Sequence, residues 1–150
     1  MRVLVKSIFD TFEYVMDHYY PFGMADFAGR NDSYAIISIQ DSHTEGFGLT
    51  FTPNHACKDV LTLIVDDIIK PVDGAILFDD SHARQIIDFI EQNRNRVDTL
   101  LIHCYAGQSR SAAVGAFAME YLGQDNTEFI KHHTPNQYIL ETLRQTKTRP

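Results

Sequence analysis

Cys104 and Arg110, six positions apart, are the pair of residues whose types and spacing could do chemistry in this chain. The stretch between them, Tyr105, Ala106, Gly107, Gln108 and Ser109, is small or polar. Its backbone N–H groups can surround a tetrahedral oxyanion while the planar fork of Arg110 grips two of the oxygens. Cys104 would lie beneath as nucleophile. A thiol attacks as its thiolate, and a helix N-terminus and a nearby cation both favour that form without a dedicated base. Gly107 lets the backbone bend where a Cβ would clash. Taken singly, Cys104 reads as an inert buried thiol and Arg110 as a solvated cation. A cation is out of place at the positive end of a helix, however, which points to an anion between the two.

These residues need a strand and a helix to position them. Residues 98–103 have the short apolar character of a buried parallel strand, and Ser111 to Leu122 carries Ala112, Ala113, Val114, Ala116, Phe117, Ala118 and Met119, apolar nearly all round. The reading is strand, loop, core helix, with the helix start directing free N–H groups and its dipole at the loop.

The remainder of the chain supplies scaffold. Its 150 residues, 44% hydrophobic and 22% charged, predict one domain, 1–150, large enough to need no disulfide staple. A net charge of −7 argues against nucleic acid or an anionic membrane as the main partner. Met1 to Phe9 alternates as a short strand, and Asp10 or Thr11 can cap a helix through Tyr14, Val15 and His18 towards Pro21. Tyr19, Tyr20, Phe22 and Phe27 read as core and loop packing. Tyr34 to Ile39 is a strand, residues 41–58, with Gly46, Gly48 and Pro53, a long connection, and Val60 to Val65 a strand delivering Asp66 and Asp67 at its end. After a loop from Pro71 to Phe78, Asp80 or Ser81 caps a helix whose Ala83, Ile86, Ile87 and Ile90 share one face. Gly123 ends the central helix, Asn126 or Thr127 restarts one to His133, and Thr134-Pro135-Asn136 opens a last helix with Ile139, Leu140 and Leu143. The fold class is therefore α/β, a single domain with a central, mostly parallel sheet flanked by helices on both faces, strand order open.

His103-Cys104-x-x-Gly107-x-x-Arg110-Ser111 resembles the HCxxGxxR[ST] signature of the cysteine-dependent protein tyrosine and dual-specificity phosphatases, with every position filled. The chain looks most similar to small prokaryotic predicted tyrosine phosphatases, in which Ile36-Ile37-Ser38-Ile39, Asp67-Ile68, Ile86-Ile87-Asp88-Phe89 and Pro135-Asn136 recur in the same order. That similarity covers most of residues 34–143.

The resemblance implies hydrolysis of phosphate monoesters through a phosphocysteine, with phosphorylated protein or a small phosphomonoester as substrate and phosphotyrosine the first candidate. It implies catalytic roles for Cys104, Arg110 and Ser111, a phosphate-binding loop from Tyr105 to Arg110, and His103 as a residue that orders the loop. A leaving alkoxide or phenoxide needs a proton, and an Asp on a loop opposite the cysteine supplies it. Asp67 is the expected acid, with Asp66 and Asp73 as rivals. Gln108 and Ser109 are expected to give backbone donors only, and Asn136 to lie near the pocket without a catalytic role. No cofactor or metal is implied, and the histidines show no ligand spacing. A thiolate nucleophile, Cys57 as the one other cysteine and no recognisable signal segment suit a reducing cytoplasm. The loop lacks the second cation of inositide phosphatases. The alternatives are a phosphate- or phosphopeptide-binding module without turnover and a rhodanese-like sulfurtransferase, which the His before Cys104 and the Arg-Ser ending disfavour.

Overall fold

The computed structural model describes residues 1–20, 32–44 and 50–149; Pro21, Phe22, Phe27, Gly46 and Gly48 lie outside them. Its strands are β1 (Arg2–Ser7), β2 (Tyr34–Gln40), β3 (Cys57–Ile64) and β4 (Thr99–Cys104). They form one sheet in the order β1-β4-β2-β3, and every pairing is parallel. The described residues form five helices: α1 (Ile8–Tyr19), α2 (Asp80–Asn93), α3 (Arg110–Tyr121), α4 (Thr127–Lys131) and α5 (Gln137–Thr148). This is the expected α/β domain.

The two central strands are buried along almost their whole length because helices cover both faces, and strand periodicity sorts their side chains. Ile36 and Leu101 point to one face and pack with Val15 and Tyr19 of α1 and with Tyr20 and Tyr34. Ile37, Leu100, Ile102 and Cys104 point to the other, against Ile86, Ile90, Phe117, Leu140 and Leu143 of α2, α3 and α5. Each of these large side chains contributes roughly 2 kcal/mol by leaving water. Where α3 crosses β1, a Cβ on Gly115 would stand 2.3 Å from Cγ2 of Val5, so only glycine allows the helix this approach.

Three helix boundaries differ from the sequence expectation, the first two for a local reason. The cap of α1 is Ser7 rather than Asp10 or Thr11: its Oγ accepts from the Asp10 N–H at 3.0 Å, so the helix starts directly off β1. Asp79 caps α2, accepting from the Ser81 and His82 N–H groups, while Nδ1 of His82 accepts from the Asp79 N–H as a capping-box glutamate would. Helix α4 stops at Lys131, before the expected His133. In register Ser7 lies beside Cys104 and Gln40 beside Ile64. The segments beginning at Ile8, Asp41, Val65 and Tyr105 therefore leave the sheet at one edge, the carboxyl edge where open α/β folds bind ligands.

Candidate active site

At that edge the chain leaves β4 at Cys104, turns through residues 105–109 and enters α3 at Arg110. Gly107 sits at φ +74°, and a Cβ there would lie 2.5 Å from the Lys6 carbonyl carbon and 2.6 Å from the Ser7 nitrogen. The loop is thus pressed onto the β1–α1 junction, and no residue with a side chain fits at its centre. Cys104 is buried, and two groups meet its sulfur. Ser111 Oγ is 3.0 Å away and the Gly107 N–H donates at 3.3 Å. With a thiolate at Cys104 the serine hydroxyl must be a donor, so both contacts stabilise sulfur's negative charge.

Arg110 is buried to 5% exposure. Its Nη1 donates to the Val65 carbonyl at 2.9 Å and to the carboxylate of Asp41, while its Nε–H has no partner among the described residues. A buried guanidinium donor left unpaired is costly unless an anion meets it. Two structural partners fix one corner of the fork and leave another edge for oxyanion oxygens.

His103 is fully buried, and its hydrogen bonds define its tautomer. Nδ1 lies 3.2 Å from the Cys104 carbonyl and must carry the proton. Nε2 then accepts from the Ser38 hydroxyl at 2.7 Å, and Ser38 Oγ accepts in turn from Gln40 at 3.2 Å. Burial pushes the imidazole down to about 4, opposed by the hydrogen bond to the Cys104 carbonyl and assisted by the charge of Arg110. His103 is therefore neutral near pH 7 and holds the backbone of Cys104. Below pH 6.5 the unfolded chain binds a proton that the folded chain refuses, so this contribution to stability is intact above that value and lost as pH falls towards 4. Denaturant titrations of wild type and His103→Gln at pH 7 and 4.5 should show wild type losing about 2 kcal/mol more than the variant. Equal losses would mean that His103 takes up its proton in the folded state.

The neighbouring carboxylates differ in what they touch. Asp66 is tied into loop structure. Oδ1 accepts from the Ser42 N–H at 3.1 Å, and Oδ2 from the Ser42 hydroxyl and the Ile76 N–H, both at 2.7 Å. Burial works against its charge, but these donors, with His43 nearby, hold its carboxyl below the usual range. Asp67 is exposed and turned to the loop. Its Oδ1 accepts from Ser109 Oγ at 2.8 Å and from Asn136 Nδ2 at 2.9 Å. Asp73 is exposed in the turn that precedes Gly74. The structure brings Cys104, Ser111, Arg110 and Asp67 around residues 105–109 and turns Asp66 away from them.

Three residues contribute more than their sequence positions suggested. Asp41 stood in the long connection with no assigned role; its position just past β2, on the same edge as Cys104, was the available signal. The Ser109 hydroxyl does not cap α3 and reaches Asp67 instead, which corrects the expectation that Ser109 supplies only its backbone. Asn136 is buried and joins several parts of the site. Nδ2 donates to Asp67 and to the Ile68 carbonyl at 3.1 Å, Oδ1 caps α5 through the Ile139 N–H, and its own N–H donates to the Ser109 carbonyl at 3.0 Å. The Thr134 N–H donates likewise to the Gln108 carbonyl at 3.0 Å, so the α4–α5 connection braces the loop from outside.

No protein-family model matches the chain, and no curated protein sequence does. Solved structures do match. DUSP15 is 21% identical, with 99% of this chain and 92% of that one covered and a TM-score of 0.55. Cydia pomonella PTP-2 phosphatase is 19% identical over 97% of this chain and 85% of that one, TM-score 0.57. The human tyrosine phosphatase-like serine/threonine/tyrosine-interacting protein is 21% identical over 77% of each chain, TM-score 0.54. The chain therefore has the fold of solved tyrosine and dual-specificity phosphatases.

Proposed function

We propose that this protein is a cysteine-dependent phosphatase, acting first on protein phosphotyrosine. The observation that carries the reading is a buried thiol held by Ser111 and Gly107 at one end of the loop and, at the other, a buried arginine whose Nε–H has no partner among the described residues. Cys104 attacks phosphorus in line, forming the S–P bond as the P–O bond of the ester breaks. Arg110 and the N–H groups of residues 105–110 hold the equatorial oxygens. Asp67 gives its proton to the departing oxygen. Both donors on its carboxylate meet Oδ1, so Oδ2 carries that proton. Water then attacks the phosphocysteine, Asp67 takes the water proton, the S–P bond breaks, and the Ser111 hydroxyl stabilises the thiolate that leaves.

One structural neighbour, PTPMT1, was solved in complex with PI(5)P. Here Tyr105, Ala106, Gln108 and Ser109 add no cation to Arg110, which favours a singly phosphorylated group over a polyphosphorylated headgroup. A thiolate nucleophile suits a reducing compartment, in keeping with a cytoplasmic location.

The test is hydrolysis of a series of aryl and alkyl phosphates in the presence of a chelator. Wild type should turn them over. Asp67→Asn should slow esters of poorly leaving alcohols by about 10²-fold, spare activated aryl phosphates and remove the acidic group's limb from the pH profile. Asp66→Asn should lower stability and leave that dependence unchanged. A steepened dependence in Asp66→Asn would reverse the two assignments, and phosphopeptide binding without turnover would make the domain a binding module.

A further inference from the structure

We propose that the start of α1 is a substrate-docking shelf. Phe9, Phe12 and Tyr105 receive an apolar side chain next to the phosphorylated residue of a peptide, and Asp10, Glu13 and Asp17 favour a basic residue further along it. The proposal rests on the reading of the loop as a phosphate site. Single exposed apolar residues are ordinary on a protein surface, but here three aromatics stand together. Phe9 is 59% exposed, Phe12 45% and Tyr105 52%, with the Phe9 and Tyr105 rings edge to face at 6.2 Å. Phe9 and Phe12 share a helix face, being three residues apart. Tyr105 follows Cys104 in the chain, so the shelf is continuous with the phosphate loop. It is also fixed to that loop, since the Ile8 N–H donates to the Tyr105 carbonyl at 3.2 Å and Gly107 sits hard against Lys6 and Ser7.

The charge beside the shelf selects the occupant. The adjacent face of α1 forms a groove of about 390 Å³ lined by Lys6, Asp10, Glu13, Tyr14, Asp17 and His18. Three carboxylates against one lysine, on a chain of net charge −7, repel an anionic lipid surface and attract a cationic peptide.

The experiment compares two phosphotyrosyl peptides of equal length. One carries Leu beside the phosphotyrosine and Arg four residues away; the other carries Ser and Glu there. The readouts are kcat/KM relative to a small aryl phosphate and, separately, the Kd of each peptide for Cys104→Ser protein. Wild type should prefer the first peptide by about tenfold, which corresponds to about 1.4 kcal/mol and the scale of one aromatic contact. The double variant Phe9→Ser, Phe12→Ser should reduce that preference to about threefold or less with aryl phosphate turnover unchanged, and Glu13→Lys should remove the part due to Arg. The proposal is overturned if wild type shows no preference or if the preference survives the double variant. It is equally overturned if the double variant converts a wild-type dimer to monomer, which makes the shelf a self-contact, or abolishes binding to anionic vesicles. Should no phosphate ester be hydrolysed while the Kd preference holds and depends on Phe9 and Phe12, the catalytic reading falls and the docking shelf stands.

Discussion

Cys104→Ser is expected to lower turnover of an aryl phosphate by at least about 10⁴-fold while leaving vanadate or phosphate binding measurable. The substitution exchanges a thiol, which attacks as its thiolate, for a hydroxyl, a far weaker nucleophile, and the contacts from Ser111 and Gly107 cannot make up that difference. The proposed anion site is built from Arg110 and backbone amides, which the change leaves in place. Kinetics with vanadate as competitor measure the first effect, and calorimetric titration with vanadate the second. Acid-quenched wild type should carry phosphate on Cys104 and the variant none. Turnover within tenfold of wild type would remove Cys104 as the nucleophile.

Arg110→Lys should cost about 10³-fold in kcat/KM, divided between KM and kcat, although the charge is kept. An ammonium cannot serve the Val65 carbonyl and Asp41 at one corner while presenting a planar edge to two oxyanion oxygens. Whichever partner it keeps, the other is lost. Stability should fall as well, because the Val65 carbonyl loses a buried donor; a net hydrogen bond to a charged group is worth about 2 kcal/mol. Steady-state kinetics and denaturant unfolding of the same preparation separate the two effects. A small kinetic change with a large loss of stability would assign Arg110 to the fold rather than to substrate.

The contrast between what was legible in the sequence and what was not follows from contact range. The strand, loop and helix around Cys104 are encoded locally. An apolar run, a glycine that must take positive φ and an alanine-rich segment lie within two dozen residues, and the resemblance rests on the same stretch. The sequence offers Asp10 or Thr11 as the cap of α1, and only the geometry of β1 shows that Ser7 meets the free N–H groups instead. The contacts of Asp41 with Arg110 and of Asn136 with Asp67 each span 69 positions. Asp41 has no sequence pattern of its own, and the resemblance places Asn136 near the pocket without naming what it touches. Their roles arise because parallel strands deliver every connection to one edge, so the order β1-β4-β2-β3, which periodicity leaves open, decides which loops meet.

The placement of the two cysteines sets how this site responds to oxidants. Cys57 pairs in register with Tyr34, which pairs with Thr99 at the start of β4, whereas Cys104 ends that strand. Five residues of extended chain separate the two levels by about 16 Å, more than twice the Cα separation that a disulfide tolerates. Burial also pushes the Cys57 thiol up to about 11, so it is a poor attacking group. Within these 150 residues a Cys104 sulfenic acid therefore has no second thiol to trap it. Its rescue depends on a thiol brought from outside or on condensation with a neighbouring backbone nitrogen, and without either further oxidation leads to the sulfinic acid.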